Sequence, residues 1–168
     1  MKKKFLFWID IVMAHFGLAY QLQQEMNADF FAIIDTPNKP KKMFQNQKIV
    51  NFKKAWFFHD HIKKTFEKPD LEYLSNFEKK YKIDLWKLTI NERHFYKYNR
   101  FHKFTTNEIL KILEQECKLF ENILNEITPD YLFINQPPFH YQKLLEELCK
   151  AKKSKYYHYV FQNIKLPP

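Results

Sequence analysis

The chain has 168 residues, enough for one compact domain or for one half of a two-domain enzyme. Hydrophobic residues make up 45% of it and aromatics 18%, which provides a core and argues against a disordered chain. The formal charge is +9, but a chain rich in Lys, Asn, Ile, Phe and Tyr and poor in Gly, Ala and Arg is what AT-rich coding produces, so the charge is expected to spread over a solvated surface rather than mark a nucleic-acid face.

Residues 4–11 (KFLFWIDI) are a nearly continuous apolar run, which predicts a parallel strand covered on both faces. Lysines before an apolar run resemble a secretory leader, but Asp10 and His15 interrupt the run and no small-residue cleavage site follows. Residues 14–26 place Ala19, Leu22 and Met26 at helical spacing with glutamines opposite. Residues 29–35 (DFFAIID) read as a second buried strand, ended by Thr36-Pro37, and strand, helix, strand in about thirty residues is a βαβ unit.

Residues 37–47 (PNKPKKMFQNQ) read as a basic surface loop, and 55–58 as a short third strand. Residues 70–81 carry Leu71, Leu74, Phe77 and Tyr81 at helical spacing, and 84–91 suit a shorter helix. Thr105-Thr106-Asn107-Glu108 is a capping-box pattern before a long amphipathic helix bearing Ile109, Leu113, Phe120, Leu124 and Ile127. YLFIN at 131–135 is the next buried strand, Pro137-Pro138 opens a helix, and 155–161 form a last strand. The alternation predicts an α/β, Rossmann-like layered fold with a mainly parallel sheet flanked by helices. Cys117 and Cys149 fall on different helices without metal or secreted-scaffold spacing, so both are expected as buried thiols in a reducing compartment. No stretch is apolar for long enough to span a bilayer.

Ligands of open α/β sheets collect at the carboxyl ends of the strands. Here that rule selects Asp10 and His15 after the first strand, Asp35 after the second, and Asn135, Gln136 and His140 after YLFIN. Asp10 and Asp35 could take sugar hydroxyls, and His15 is the candidate general base. The bland alternatives are helix-start and turn residues facing solvent. His59-Asp60-His61 would align two histidines only if extended, and no third ligand is evident, so no metal is expected. Gly17 is the single glycine, which removes the Gly-rich phosphate cradles of dinucleotide enzymes and P-loop hydrolases and the G-x-S-x-G elbow of esterases.

NERHFYKYNRFHKF, residues 91–104, holds both arginines of the chain. If it is helical, Arg93, Lys97 and Arg100 share a stripe suited to a phosphate or carboxylate. Three readings stand: a structural basic helix, an anionic-ligand site, or a nucleic-acid surface, which would need the interleaved aromatics exposed.

The ordered segments FLFWIDI, DFFAIIDTPNKPKKMF, WFFHDHI, IDLWKLTINER and ITPDYLFINQPPFHYQKLLEELCKA resemble the N-terminal part of capsule or surface polysaccharide biosynthesis proteins, over about residues 4–151. Those look like two-Rossmann-domain glycosyltransferases of the GT-B arrangement. The resemblance implies an acceptor-side domain in residues 1–151, with a glycan acceptor as partner, no cofactor and no metal. Asn91, Glu92 and Arg93 match NER, and Gln136 and His140 match the loop after PDYLFINQPP; Glu92, Arg93, Arg100, Gln136 and His140 join Asp10 and Asp35 as candidate substrate contacts. It further implies a cytoplasmic location, with association at the inner membrane face. Residues 152–168 are expected to hold a last strand and an atypical tail, with the donor-binding domain absent. A nucleotide-sugar donor would then come only through another domain or chain, and the chain alone would be inactive, a truncated or split form. The alternative is a stand-alone basic module binding RNA or an anionic glycan; a third is a non-functional fragment.

Overall fold

The computed structural model describes residues 2–36, 41–65, 67–90, 92–97, 101–136 and 139–159. Among them, strands β1 (Lys4–Ile9), β2 (Asp29–Ile34), β3 (Lys54–Phe57), β4 (Tyr131–Asn135) and β5 (Lys155–Tyr159) form one all-parallel sheet. The order is β3-β2-β1-β4-β5. The helices are α1 (Ala14–Glu25), α2 (Lys41–Asn46), α3 (Phe58–His61), α4 (Leu71–Tyr81), α5 (Leu85–Thr89), α6 (Arg93–Tyr96), α7 (Thr106–Ile127) and α8 (His140–Ala151). The protein is thus an α/β, Rossmann-like layered fold.

The apolar runs follow from burial on both faces. Phe5, Phe7 and Ile9 of β1 and Phe30, Ala32 and Ile34 of β2 point into one core, with Ala19 of α1 and Phe44 of α2. Leu6, Trp8, Phe31 and Ile33 point the other way, into the larger core filled by α4, α7 and α8. The first of these cores explains a departure from sequence: residues 41–46, read as loop, wind into α2 because Phe44 can be buried there.

Local chemistry fixes the helix starts. Thr105 and Glu108 complete the capping box of α7, and the Asp70 and Asp84 carboxylates accept from N–H groups of Tyr73 and Lys87 at the starts of α4 and α5. One helix is much shorter than the basic-stripe reading requires. α6 ends at Tyr96, and both Phe95 and Phe104 turn inward, their rings 5.3 Å apart. Nine residues of continuous helix would put them on opposite faces, so joining the same core requires a break. Residues 98–100, and with them Arg100, lie outside the described residues, as does Asn91.

The sheet order creates the functional edge. From β1 the chain runs through α1 to β2 and on to β3 at one edge, then crosses back by way of α7 to β4 on the other side of β1. The β1–β4 boundary is therefore the topological switch point, and in open α/β sheets the ligand crevice lies beyond the strand ends at that point. No helix among the described residues is long and apolar enough to cross a membrane.

Candidate functional site

The rim at the carboxyl ends of the strands is built from five segments. β1 delivers Asp10, whose Oδ1 accepts the Val12 N–H at 2.9 Å. Its Oδ2 accepts from Asn135 Nδ2 at the end of β4, so the two strands on either side of the switch point are tied by side chains. The other polar atom of Asn135, Oδ1, is buried and has no hydrogen-bond partner among the described residues. The turn that follows Asp10 forces Met13 into the left-handed region at φ 61° and exposes Ile11 and Val12 beside the crevice.

β2 delivers Asp35 and the start of α3 delivers His59. Asp35 Oδ1 lies 2.7 Å from His59 Nε2, and Oδ2 accepts the Tyr141 hydroxyl from α8 at 3.2 Å. Burial, followed by the neighbouring Asp35 carboxylate, pushes the Tyr141 hydroxyl up, so it keeps its proton and donates. The Asp35 side chain is 9% exposed and that of His59 is 46% exposed. A buried carboxylate thus fixes one ring nitrogen of a histidine whose ring is open to solvent, and His59 Nδ1 has no hydrogen bond among the described residues. That is the geometry of an oriented general base.

His15, the base candidate from sequence, is 1% exposed in the first turn of α1. Burial lowers its pKa, against the pull of Asp10 and a main-chain bond to Trp8. A neutral, enclosed imidazole supports the Asp10 turn and cannot meet an incoming molecule directly.

Glu92 and His140 also differ from expectation. They do not face the crevice but form a buried triad with Glu116 of α7. His140 Nδ1 is 3.0 Å from Glu92 Oε2, and Nε2 is 3.0 Å from Glu116 Oε2. Glu92 Oε2 also accepts the His140 N–H at 2.8 Å, and Oε1 accepts the His94 N–H at 3.0 Å. All three side chains are 3% exposed or less. Burial alone would lower the His140 pKa, but Glu116 and Glu92 outweigh it and raise it to about 9. Burial would raise that of Glu92, but the His140 ring and the two N–H groups bring it down to about 2. The reason these residues miss the substrate edge is that every polar atom is already bonded inside the fold.

Comparison with models of known protein families, with curated proteins and with solved structures gave no match.

Of the remaining candidates, Gln136 is exposed at the end of β4 and borders the crevice. Arg93 is exposed, with its guanidinium over the Phe139 ring at 4.8 Å, so the described part of the basic stretch packs a cation on α8 while Phe95 fills the core. The HDH segment is helical, not extended, which turns His59 and His61 to different sides; no group of three metal-binding side chains occurs among the described residues. Three members of these networks escaped sequence reasoning. Glu116 falls on the apolar stripe between Leu113 and Phe120, which is its signal; in the sequence His59 reads as a metal ligand and Tyr141 as core.

The rim carries carboxylates, an amide and an oriented imidazole. Lys41 pairs with Asp60 and sits 5.5 Å over the Phe57 ring. Such a lining suits neutral hydroxyl groups better than phosphate.

Proposed function

We propose that this chain is an acceptor-side α/β domain of a sugar-transferring system, and that the switch-point crevice binds a polyhydroxylated glycan. The observation that carries the reading is the Asp35–His59 pair at the carboxyl edge of a parallel sheet, beside Asp10 and Asn135. Asp10 accepts hydroxyl hydrogens from one sugar ring, and the buried Asn135 amide holds its carboxylate in place. Asp35 accepts Nε2–H of His59, which leaves the Nδ1 lone pair to take the proton from an acceptor hydroxyl as its oxygen attacks the anomeric carbon of a nucleotide-sugar donor and the bond from that carbon to the nucleotide's phosphate oxygen breaks, the nucleotide leaving with that electron pair. Tyr141 holds Asp35 in place from behind. The resemblance to polysaccharide biosynthesis proteins supports the same reading. With one glycine in the sequence and no phosphate cradle, the nucleotide of a sugar donor would be held by another domain or chain.

The test is saturation-transfer NMR with neutral oligosaccharides. Contacts are expected with the wild-type chain and should be lost in Asp10→Asn, while His59→Ala, which removes the base and not a sugar contact, retains binding. If RNA binds instead, in a salt-dependent manner, and neutral glycans do not, the chain belongs to the class of basic binding modules.

A further inference from the structure

A second recess lies away from the rim, between the α3–α4 connection and the start of α7. Ile62, Phe104 and Ile112 form its apolar floor, and each packs inward on the larger core. Its volume is about 350 Å³, inside the usual range for small-molecule sites of roughly 300–1,000 Å³. One wall is held on both sides: Gln115 Oε1 accepts the Lys63 N–H at 2.8 Å, and Gln115 Nε2 donates to the Lys63 carbonyl at 3.0 Å. The other wall is His102, 3.1 Å from Glu108.

Charge at the mouth is one-sided. Glu108 is engaged by the Thr105 N–H and hydroxyl as well as by His102. Lys111 is held by Glu114 at 3.1 Å and Glu67 at 3.4 Å. Lys63 and Lys64 remain, both exposed, and neither ammonium has an acidic partner among the described residues. A wet apolar floor beneath two uncompensated cations is complementary to one kind of molecule.

We propose that this recess binds a small amphipathic carboxylate, with its hydrocarbon part on Ile62, Phe104 and Ile112 and its anionic group between Lys63 and Lys64. A purely apolar molecule would leave the lysines unanswered, a hydrophilic anion would leave the floor in water, and the volume does not admit both chains of a bilayer lipid. The recess shares no residue with the glycan rim, so this inference stands apart from the proposed function.

The experiment is NMR titration of the ¹⁵N-labelled full chain with decanoate and with decanol, below the micelle concentration of decanoate. Decanoate should saturate at one molecule per chain, moving the amides of Ile62, Ile112 and Gln115. Decanol, and decanoate with the Lys63→Ala/Lys64→Ala double variant, should bind about tenfold more weakly, as expected for losing two exposed charge contacts. Both substitutions are at exposed positions, and an unchanged amide spectrum of the free variant verifies its fold. Equal affinity for decanol and decanoate, unchanged binding by the double variant, or shifts confined to the rim would each overturn the proposal.

Discussion

His140→Ala is expected to be among the most damaging single changes outside the apolar core. It removes the cation between Glu92 and Glu116 and leaves two carboxylates buried at 3% exposure or less. Breaking a buried ion network by deleting one member costs about 3–5 kcal/mol. The pH dependence gives an independent figure. His140 holds its proton up to about pH 9 in the folded chain, against 6.5 for the ordinary value. At 1.36 kcal/mol per pH unit, that difference corresponds to about 3 kcal/mol. Because the folded pKa is raised, this contribution is whole below pH 6.5 and is lost as pH rises to about 9. Glu92, lowered from 4.5 to about 2, contributes in the opposite sense: its share is present above pH 4.5 and is lost as pH falls towards 2. Urea unfolding followed by circular dichroism at pH 5.5, 7 and 9.5 measures the His140 effect, in a range where the Glu92 share stays constant. The gap between wild type and His140→Ala should be about 3–5 kcal/mol at pH 5.5 and should narrow at pH 9.5. Comparing the two chains cancels the titration of the other histidines. A gap below about 1 kcal/mol, or one that does not change with pH, would refute the account of the triad.

Other expectations follow from single sites. Gly17 is exposed within α1, and a Cβ there meets nothing within 4 Å. Gly17→Ala should therefore stabilise the chain by about 0.5–1 kcal/mol, seen as a higher midpoint in thermal unfolding. Glu121 accepts the Tyr73 hydroxyl at 2.6 Å, the Tyr81 hydroxyl at 2.7 Å and the Lys80 ammonium at 2.8 Å, joining α4 to α7. Glu121→Ala should cost about 2 kcal/mol in chemical denaturation. Cys117 and Cys149 are fully buried, and burial pushes both thiols up, that of Cys149 to about 12. Neither should react with a thiol reagent until the chain is unfolded in urea.

The sheet was legible because a parallel strand buried on both faces leaves a direct signature: KFLFWI, DFFAII and YLFIN are apolar without alternation. The α7 capping box was equally legible, because its partners lie three residues apart. Contacts set by the tertiary fold were not. Glu92 and His140 are 48 residues apart and Glu116 lies midway, and only the packing of α6, α7 and α8 brings them together. Glu92 and His140 were noticed but placed at the wrong surface, since a polar residue after a strand looks the same whether it faces a ligand or a buried partner. His59 was hidden for a related reason. The α3 turn reverses the side on which it emerges, and its partner Asp35 lies on another strand. α6 ends early because Phe95 and Phe104 seek one core, a demand that the basic-aromatic pattern of 91–104 does not reveal.

The central claim is that the strand-end rim at the β1–β4 switch point is a glycan site. Amide shift mapping of the ¹⁵N-labelled chain against a neutral oligosaccharide tests it most directly. Saturable shifts at Asp10, Ile11, Asp35, His59 and Asn135, lost in Asp10→Asn, are predicted. Shifts that instead gather at Arg93, Lys97 and Phe101, or their absence at the rim at saturating sugar, would contradict it.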